Sequence, residues 1–111
     1  MTTTRVTVLV ENTAYSPGLL AEHGLAYWIE IDSRRVLFDT GQGGVLVHNA
    51  YRLGTALRDT DAVVLSHGHF DHTGGLAEAL RTKSPVPVYA HPAALESKFM
   101  VNSQGKSRDI G

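Results

Sequence analysis

A chain of 111 residues, 42% hydrophobic and 19% charged, has the size of one small domain and is too apolar for a disordered tail. It contains no cysteine, which removes a disulfide scaffold, a thiolate zinc finger and a thiol nucleophile together. Lys and Arg number 10 against 11 Asp and Glu, for a net charge of −1, so no basic field is available to grip a phosphate backbone.

The opening Met-Thr-Thr-Thr-Arg-Val lacks the charged and apolar regions of a secretory signal. No run approaches the roughly 18 apolar residues of a membrane span. The expectation is a cytoplasmic protein with neither a membrane nor a nucleic-acid partner.

Arg5 to Val10 is rich in β-branched residues and predicts a strand. Ser16-Pro17-Gly18 marks the loop that follows. Leu25 to Ile31 predicts a second strand and Arg35 to Phe38 a third, paired as a hairpin across Asp32-Ser33-Arg34. Gly41-Gln42-Gly43-Gly44 is a flexible loop, without the Lys-Ser/Thr that completes a phosphate-binding loop. Leu46, Ala50 and Leu53 have helical spacing within Val45 to Leu53, and Gly54 closes that helix.

Ala62-Val63-Val64-Leu65 predicts a strand buried on both faces. Leu76 to Leu80 predicts a short helix, Pro87 to Ala90 another buried strand, and Pro92 to Leu95 a helix with proline in its first turn. Asn102 to Gly111 is polar and predicts a loop. A meander followed by strand–helix alternation predicts one mixed α/β unit with helices on one face of the sheet.

Of the 6 histidines, three fall between positions 67 and 72. The segment Ser66-His67-Gly68-His69-Phe70-Asp71-His72 follows a buried strand and offers three imidazoles and a carboxylate. Such nitrogen and oxygen donors suit Zn²⁺, with Fe or Mn as alternatives, and no thiolate competes. His67 and His69, two apart, converge on one ion in an extended turn, while Asp71 and His72 address a second ion beside it. Two neighbouring ions hold a hydroxide at neutral pH and polarise an ester, amide or phosphoryl oxygen.

The order His-x-His-x-Asp-His after an apolar strand resembles the signature of the metallo-β-lactamase superfamily. Glu22-His23-Gly24-Leu25, Leu37-Phe38-Asp39-Thr40-Gly41 and Tyr89-Ala90-His91-Pro92 extend the resemblance from about Val6 onward. Together they resemble the branch of 7,8-dihydropterin-6-methyl-4-(β-D-ribofuranosyl)aminobenzene-5′-phosphate synthase-like proteins. The resemblance implies that His67 and His69 bind the first zinc, and that Asp71 and His72 bind the second. Asp71 is thereby also the carboxylate implied in catalysis. Asp39 supports the ligand loop from behind, and Ser66 hydrogen-bonds within that loop.

The superfamily fold is a four-layer αβ/βα sandwich of about twice this length, so residues 1–111 are expected to be the N-terminal half of such a domain. The later histidines and the bridging aspartate belong to the other half, leaving two protein ligands per ion where a catalytic zinc usually has three. The inner sheet face, built from the strands around Val6, Leu25, Val36 and Val63, is expected to be exposed. Either the chain is a fragment, or a second copy covers that face as a homodimer.

Other histidines carry weaker readings. His23 in its loop and His91 at a strand end are candidates for substrate contact, whereas His48 is expected on an exposed helix face. Tyr27 and Trp28 are expected in the core. The leading function is a dinuclear metal hydrolase whose metal-bound hydroxide attacks a small ester, lactone or phosphate-type substrate. The alternative is a metal-binding half-domain without turnover. The charge balance disfavours a nucleic-acid-processing member of the same superfamily.

Overall fold

The computed structural model describes residues 3–96, 99–101 and 107–109. Its main element is a five-stranded mixed sheet in the order β1-β2-β3-β4-β5. β1 (Thr4–Val10), β2 (Ala26–Ile31) and β3 (Arg34–Phe38) form an antiparallel meander. β4 (Ala62–Val64) and β5 (Val88–Tyr89) join it in parallel. The crossover from β3 to β4 carries α1 (Leu46–Arg52) and a 3₁₀ turn at Leu57–Asp59. The crossover from β4 to β5 carries α2 (Phe70–Thr73) and α3 (Leu76–Thr82).

The register sorts the side chains by face. Trp28 sits opposite Thr7 and Leu37, and Leu37 opposite Val63. Trp28, Leu37 and Val63 are buried against Leu46, Ala50, Leu57 and Ala79 from the helical layer. At roughly 25 cal/mol per Å² of apolar area removed from water, this layer is the main source of stability. Asn49 is the polar member of the layer. Its Nδ2 donates to the carbonyls of Leu9 and Leu20, both at 2.8 Å. Its Oδ1 accepts from Leu20 N at 2.9 Å, tying the loop after β1 to α1.

The opposite face follows two cross-strand rows. Val6, Ile29, Val36 and Ala62 make one, and Val8, Tyr27, Phe38, Val64 and Tyr89 the other. Tyr27 and Phe38 stack with ring centroids 6.3 Å apart. No layer covers this face among the described residues, and Val6, Val8 and Tyr89 stay 53%, 43% and 60% exposed. The expected exposed apolar face is therefore present.

Four sequence expectations change. β4 is buried on the helical side only, through Val63, while Ala62 and Val64 are half-covered. β5 is exposed along its length. Both runs read as doubly buried because a continuous apolar pattern does not reveal whether a second layer is present. The loop expected from Asn102 onward contains a strand, β7 (Ser107–Asp109), paired antiparallel with β6 (Phe99–Val101). The rest of that segment lies outside the described residues. Pro92–Leu95 forms a 3₁₀ turn with proline at its start, over the bounds expected for an α-helical turn.

Candidate metal centre

The site gathers where β3 and β4 end side by side. Asp39 follows β3 with φ of 59°, the left-handed conformation that Asp tolerates better than most residues. That turn drives its carboxylate inward, where it is wholly buried. Its Oδ1 accepts from the Ser66 backbone N–H at 2.8 Å. Its Oδ2 accepts from Ser66 Oγ at 2.6 Å and from His72 Nδ1 at 2.8 Å. Thr40 continues the anchorage, its N and Oγ1 both donating to the His72 carbonyl, at 2.8 and 2.9 Å. Gly75 N donates to Thr40 Oγ1 at 3.1 Å. A side chain at Gly75 would run into the Thr40 carbonyl.

These bonds fix two proton positions. An ionised carboxylate only accepts, so the Ser66 hydroxyl spends its proton on Asp39. Ser66 Oγ, 2.8 Å from His67 Nδ1, must then accept from that ring. His72 Nδ1 likewise donates to Asp39. Both rings therefore carry a proton on Nδ1, which leaves Nε2 as the nitrogen available to a metal. Binding one ring nitrogen while a carboxylate or hydroxyl fixes the other is how proteins orient metal-ligating histidines.

The candidate ligand side chains converge. His67, His69 and Asp71 bring donor atoms within 4.8 Å of one another. The His67 ring lies 4.7 Å from that of His69 and 4.1 Å from that of His72, centroid to centroid. His72 Nε2 is 3.6 Å from Asp71 Oδ2. Burial and the neighbouring His72 and His69 rings lower the His67 pKa below its ordinary 6.5, with Asp39 and Asp71 opposing the shift. The neutral, ligand-competent imidazole is thus the favoured form. A set of three imidazoles and one carboxylate, without thiolate, fits a borderline divalent cation such as Zn²⁺.

Of the other residues singled out in the sequence, His23 joins this cluster, with Nε2 3.0 Å from Asp71 Oδ2. His91 Nδ1 accepts from Ala93 N at 3.0 Å and so caps its own 3₁₀ turn. His48 is exposed on α1, with Nε2 2.7 Å from the Gly18 carbonyl oxygen. Thr40, Glu22 and Gln42 stood within the motifs quoted from the sequence but were given no role there. Glu22 Oε1 accepts from Gln42 N at 2.9 Å, and Gln42 Nε2 donates to the His23 carbonyl at 2.6 Å. Their polar side chains flanking glycines were the available signal.

Residues 20–106 match the family model described as the metallo-beta-lactamase superfamily. The chain belongs to that superfamily. It is 38% identical over 98 residues to an uncharacterized protein of Methanocaldococcus jannaschii, covering 87% of this chain and 38% of the relative. It is 33% identical over 102 residues to the 7,8-dihydropterin-6-methyl-4-(beta-D-ribofuranosyl)-aminobenzene-5'-phosphate synthase of the same organism, covering 86% and 35%. The solved metallo-beta-lactamase fold protein YhfI from Bacillus subtilis superposes with a TM-score of 0.61 at 25% identity, over 81% of this chain and 37% of that one. A diphosphatase from the PhnP family superposes with a TM-score of 0.60 at 27% identity, over 85% and 43%. The chain thus spans well under half the length of these metallo-β-lactamase relatives.

Proposed function

We propose that this chain carries the ligand-bearing part of a dinuclear metallohydrolase centre. His67 and His69 hold one ion, and Asp71 and His72 the other. The observation that carries this reading is the Asp39–Ser66 network, which engages Nδ1 of both His67 and His72 and leaves Nε2 of each ring open to a metal. Zinc is the expected metal, with iron or manganese also compatible with the donor set. Ions held there supply Lewis-acid polarisation and a water-derived nucleophile at neutral pH.

The protein's own part is positional. Asp39 locks the ring of His72 directly and that of His67 through Ser66. Partial desolvation and then the neighbouring His72 and His69 rings lower the His67 pKa, which favours its neutral form. Asp71 contributes the catalytic carboxylate, and its buried position at the start of α2 limits its exposure to water. A small ester, lactone or phosphate-type substrate fits the reading, which the named diphosphatase among the structural neighbours supports. His23, beside Asp71, and the exposed His91 are the side chains proposed for substrate contact.

Residues 1–111 are read as the N-terminal portion of a metallo-β-lactamase domain, supported by the 35–38% of its curated relatives that the chain spans. A second reading is metal binding without turnover. A homodimer through the open sheet face and a cytoplasmic location complete the proposal. Among the described residues no helix is long and apolar enough to cross a membrane. Zinc stoichiometry measured together with hydrolysis of generic esters and phosphodiesters tests the proposal. Zinc binding with turnover supports the hydrolase, zinc binding without turnover the second reading, and absence of zinc binding contradicts both.

A further inference from the structure

α2 carries Asp71 and His72, yet it is only four residues long. A helix of one turn does not hold its own position in water, and the carbonyls of its last turn must find partners outside it. The Phe70 carbonyl accepts from Gly74 N at 2.7 Å and the Asp71 carbonyl from Leu25 N at 3.3 Å. The His72 carbonyl accepts twice from one residue, from Thr40 N at 2.8 Å and from Thr40 Oγ1 at 2.9 Å. Of these donors only Thr40 brings a side chain. We propose that Thr40 is a positioning residue of the metal centre, whose hydroxyl sets where α2 presents Asp71 and His72.

The hydroxyl is placed for that task. Thr40 is wholly buried, and its Oγ1 accepts from Gly75 N at 3.1 Å while donating to the His72 carbonyl. One oxygen thus joins the turn after β3 to α2 and to the residue that precedes α3. Neither partner depends on it for satisfaction. Gly75 N also donates to the Gly41 carbonyl at 3.0 Å, and the His72 carbonyl keeps the bond from Thr40 N. What the hydroxyl adds is direction, because two bonds from different angles fix a short helix where one leaves it free to pivot.

Asp39 and Thr40 are consecutive, and they grip one ligand residue at both ends. Asp39 Oδ2 receives the His72 ring, and Thr40 holds the His72 carbonyl. His67 and His69 precede α2, and no hydrogen bond joins them to Thr40 among the described residues. Loss of the hydroxyl should therefore displace His72 and leave the His67 ring where Ser66 holds it.

This role rests on the metal-centre reading, and two measurements on the full 111-residue chain separate the two. Thr40→Val and Thr40→Ala remove the hydroxyl, and Thr40→Ser retains it. Leu57→Ala, a core truncation at the opposite end of β4 from the ligand segment, supplies a destabilised control. In long-range ¹H–¹⁵N spectra of the metal-free chain, the His72 ring signals should move in the Val and Ala variants while those of His67 stay. The Ser variant should match the parent. Zinc affinity, read by competition with a chromophoric chelator, should fall at least about tenfold in the Val and Ala variants. It should keep the parent value in the Ser variant and in Leu57→Ala. Parent affinity in the variants without the hydroxyl would overturn the assignment and leave the centre standing. A Ser variant as weak as the Val variant, or Leu57→Ala as weak as either, would overturn it too, since Thr40 would then act on the fold alone. A parent chain that takes up no zinc would overturn the metal centre, and with it the role of Thr40 there.

Discussion

Asp39 Oδ2 receives His72 Nδ1 at 2.8 Å from a carboxylate with no solvent exposure. The ring is thereby clamped from inside the protein, with Nε2 3.6 Å from Asp71 Oδ2. One buried acid sets the chemistry of two imidazoles, because Ser66 relays the same constraint to His67.

Replacing Asp39 with Asn tests that clamp. Asn tolerates the φ of 59°, but its amide N–H₂ cannot accept where the carboxylate accepted three donors. Ser66 Oγ and His72 Nδ1 must then become acceptors or turn away, which undoes the Nδ1–H tautomer. Zinc affinity should fall about 10–100-fold, measured by chelator competition, with the circular dichroism spectrum retained. Unchanged affinity would reduce Asp39 to a turn residue.

His69→Ala and His48→Ala form a matched pair. His69 belongs to the three-residue donor cluster, whereas His48 faces the Gly18 carbonyl on an exposed helix. The first substitution should abolish most zinc binding and the second none of it. Equal losses in a dialysis assay would contradict the assignment.

Much of this was legible in the chain itself. The β-meander, the helix over Leu46–Arg52 and the histidine-rich candidate ligand segment all follow from local pattern and residue chemistry. The four-residue α2 was not legible, because Phe70-Asp71-His72-Thr73 is too short to show a period. Nor was the exposure of Val88 and Tyr89, since a strand's pattern does not say what packs on it. His23 was legible as a site residue but not as a neighbour of Asp71. Forty-eight positions separate the two in sequence, and only the contact between the Gly24 loop and the Asp71 backbone brings them together.

The His67 shift fixes a pH dependence for the metal-free chain. Its folded pKa is lowered below 6.5, first by burial and then by the His72 and His69 rings. The unfolded chain therefore takes up this proton first as pH falls. The stability in question is fully present above about 6.5 and declines as pH drops below it. Melting temperatures with chelator from pH 8 to pH 5 should fall, and His67→Gln should flatten that fall. An identical slope in the variant would remove His67 as its source.

Gly75 is a steric test of the scaffold. Its φ is an ordinary −86°, so alanine there suffers no backbone strain, only collision with the Thr40 carbonyl. Gly75→Ala should destabilise the fold by about 1–3 kcal/mol, the usual cost of overpacking, as read by urea denaturation. A neutral effect would show that the Thr40 turn yields freely.

On the open face, Val6 and Val8 are 53% and 43% exposed. Contiguous apolar surface of this kind drives association. Val6→Lys with Val8→Glu should shift sedimentation toward monomer without lowering the melting temperature. A parent chain that is already monomeric at high concentration would contradict self-association through this face.

The central claim is that Asp39 and Ser66 present His67 and His72 to a metal through Nε2. Long-range ¹H–¹⁵N spectra of the histidine rings, recorded before and after one and two equivalents of zinc, test it most directly. The account predicts protonated Nδ1 and bare Nε2 on both rings in the free chain, with the Nε2 signals moving to metal-bound positions on zinc addition. Rings with the proton on Nε2, or Nε2 signals that zinc leaves unmoved, would contradict it.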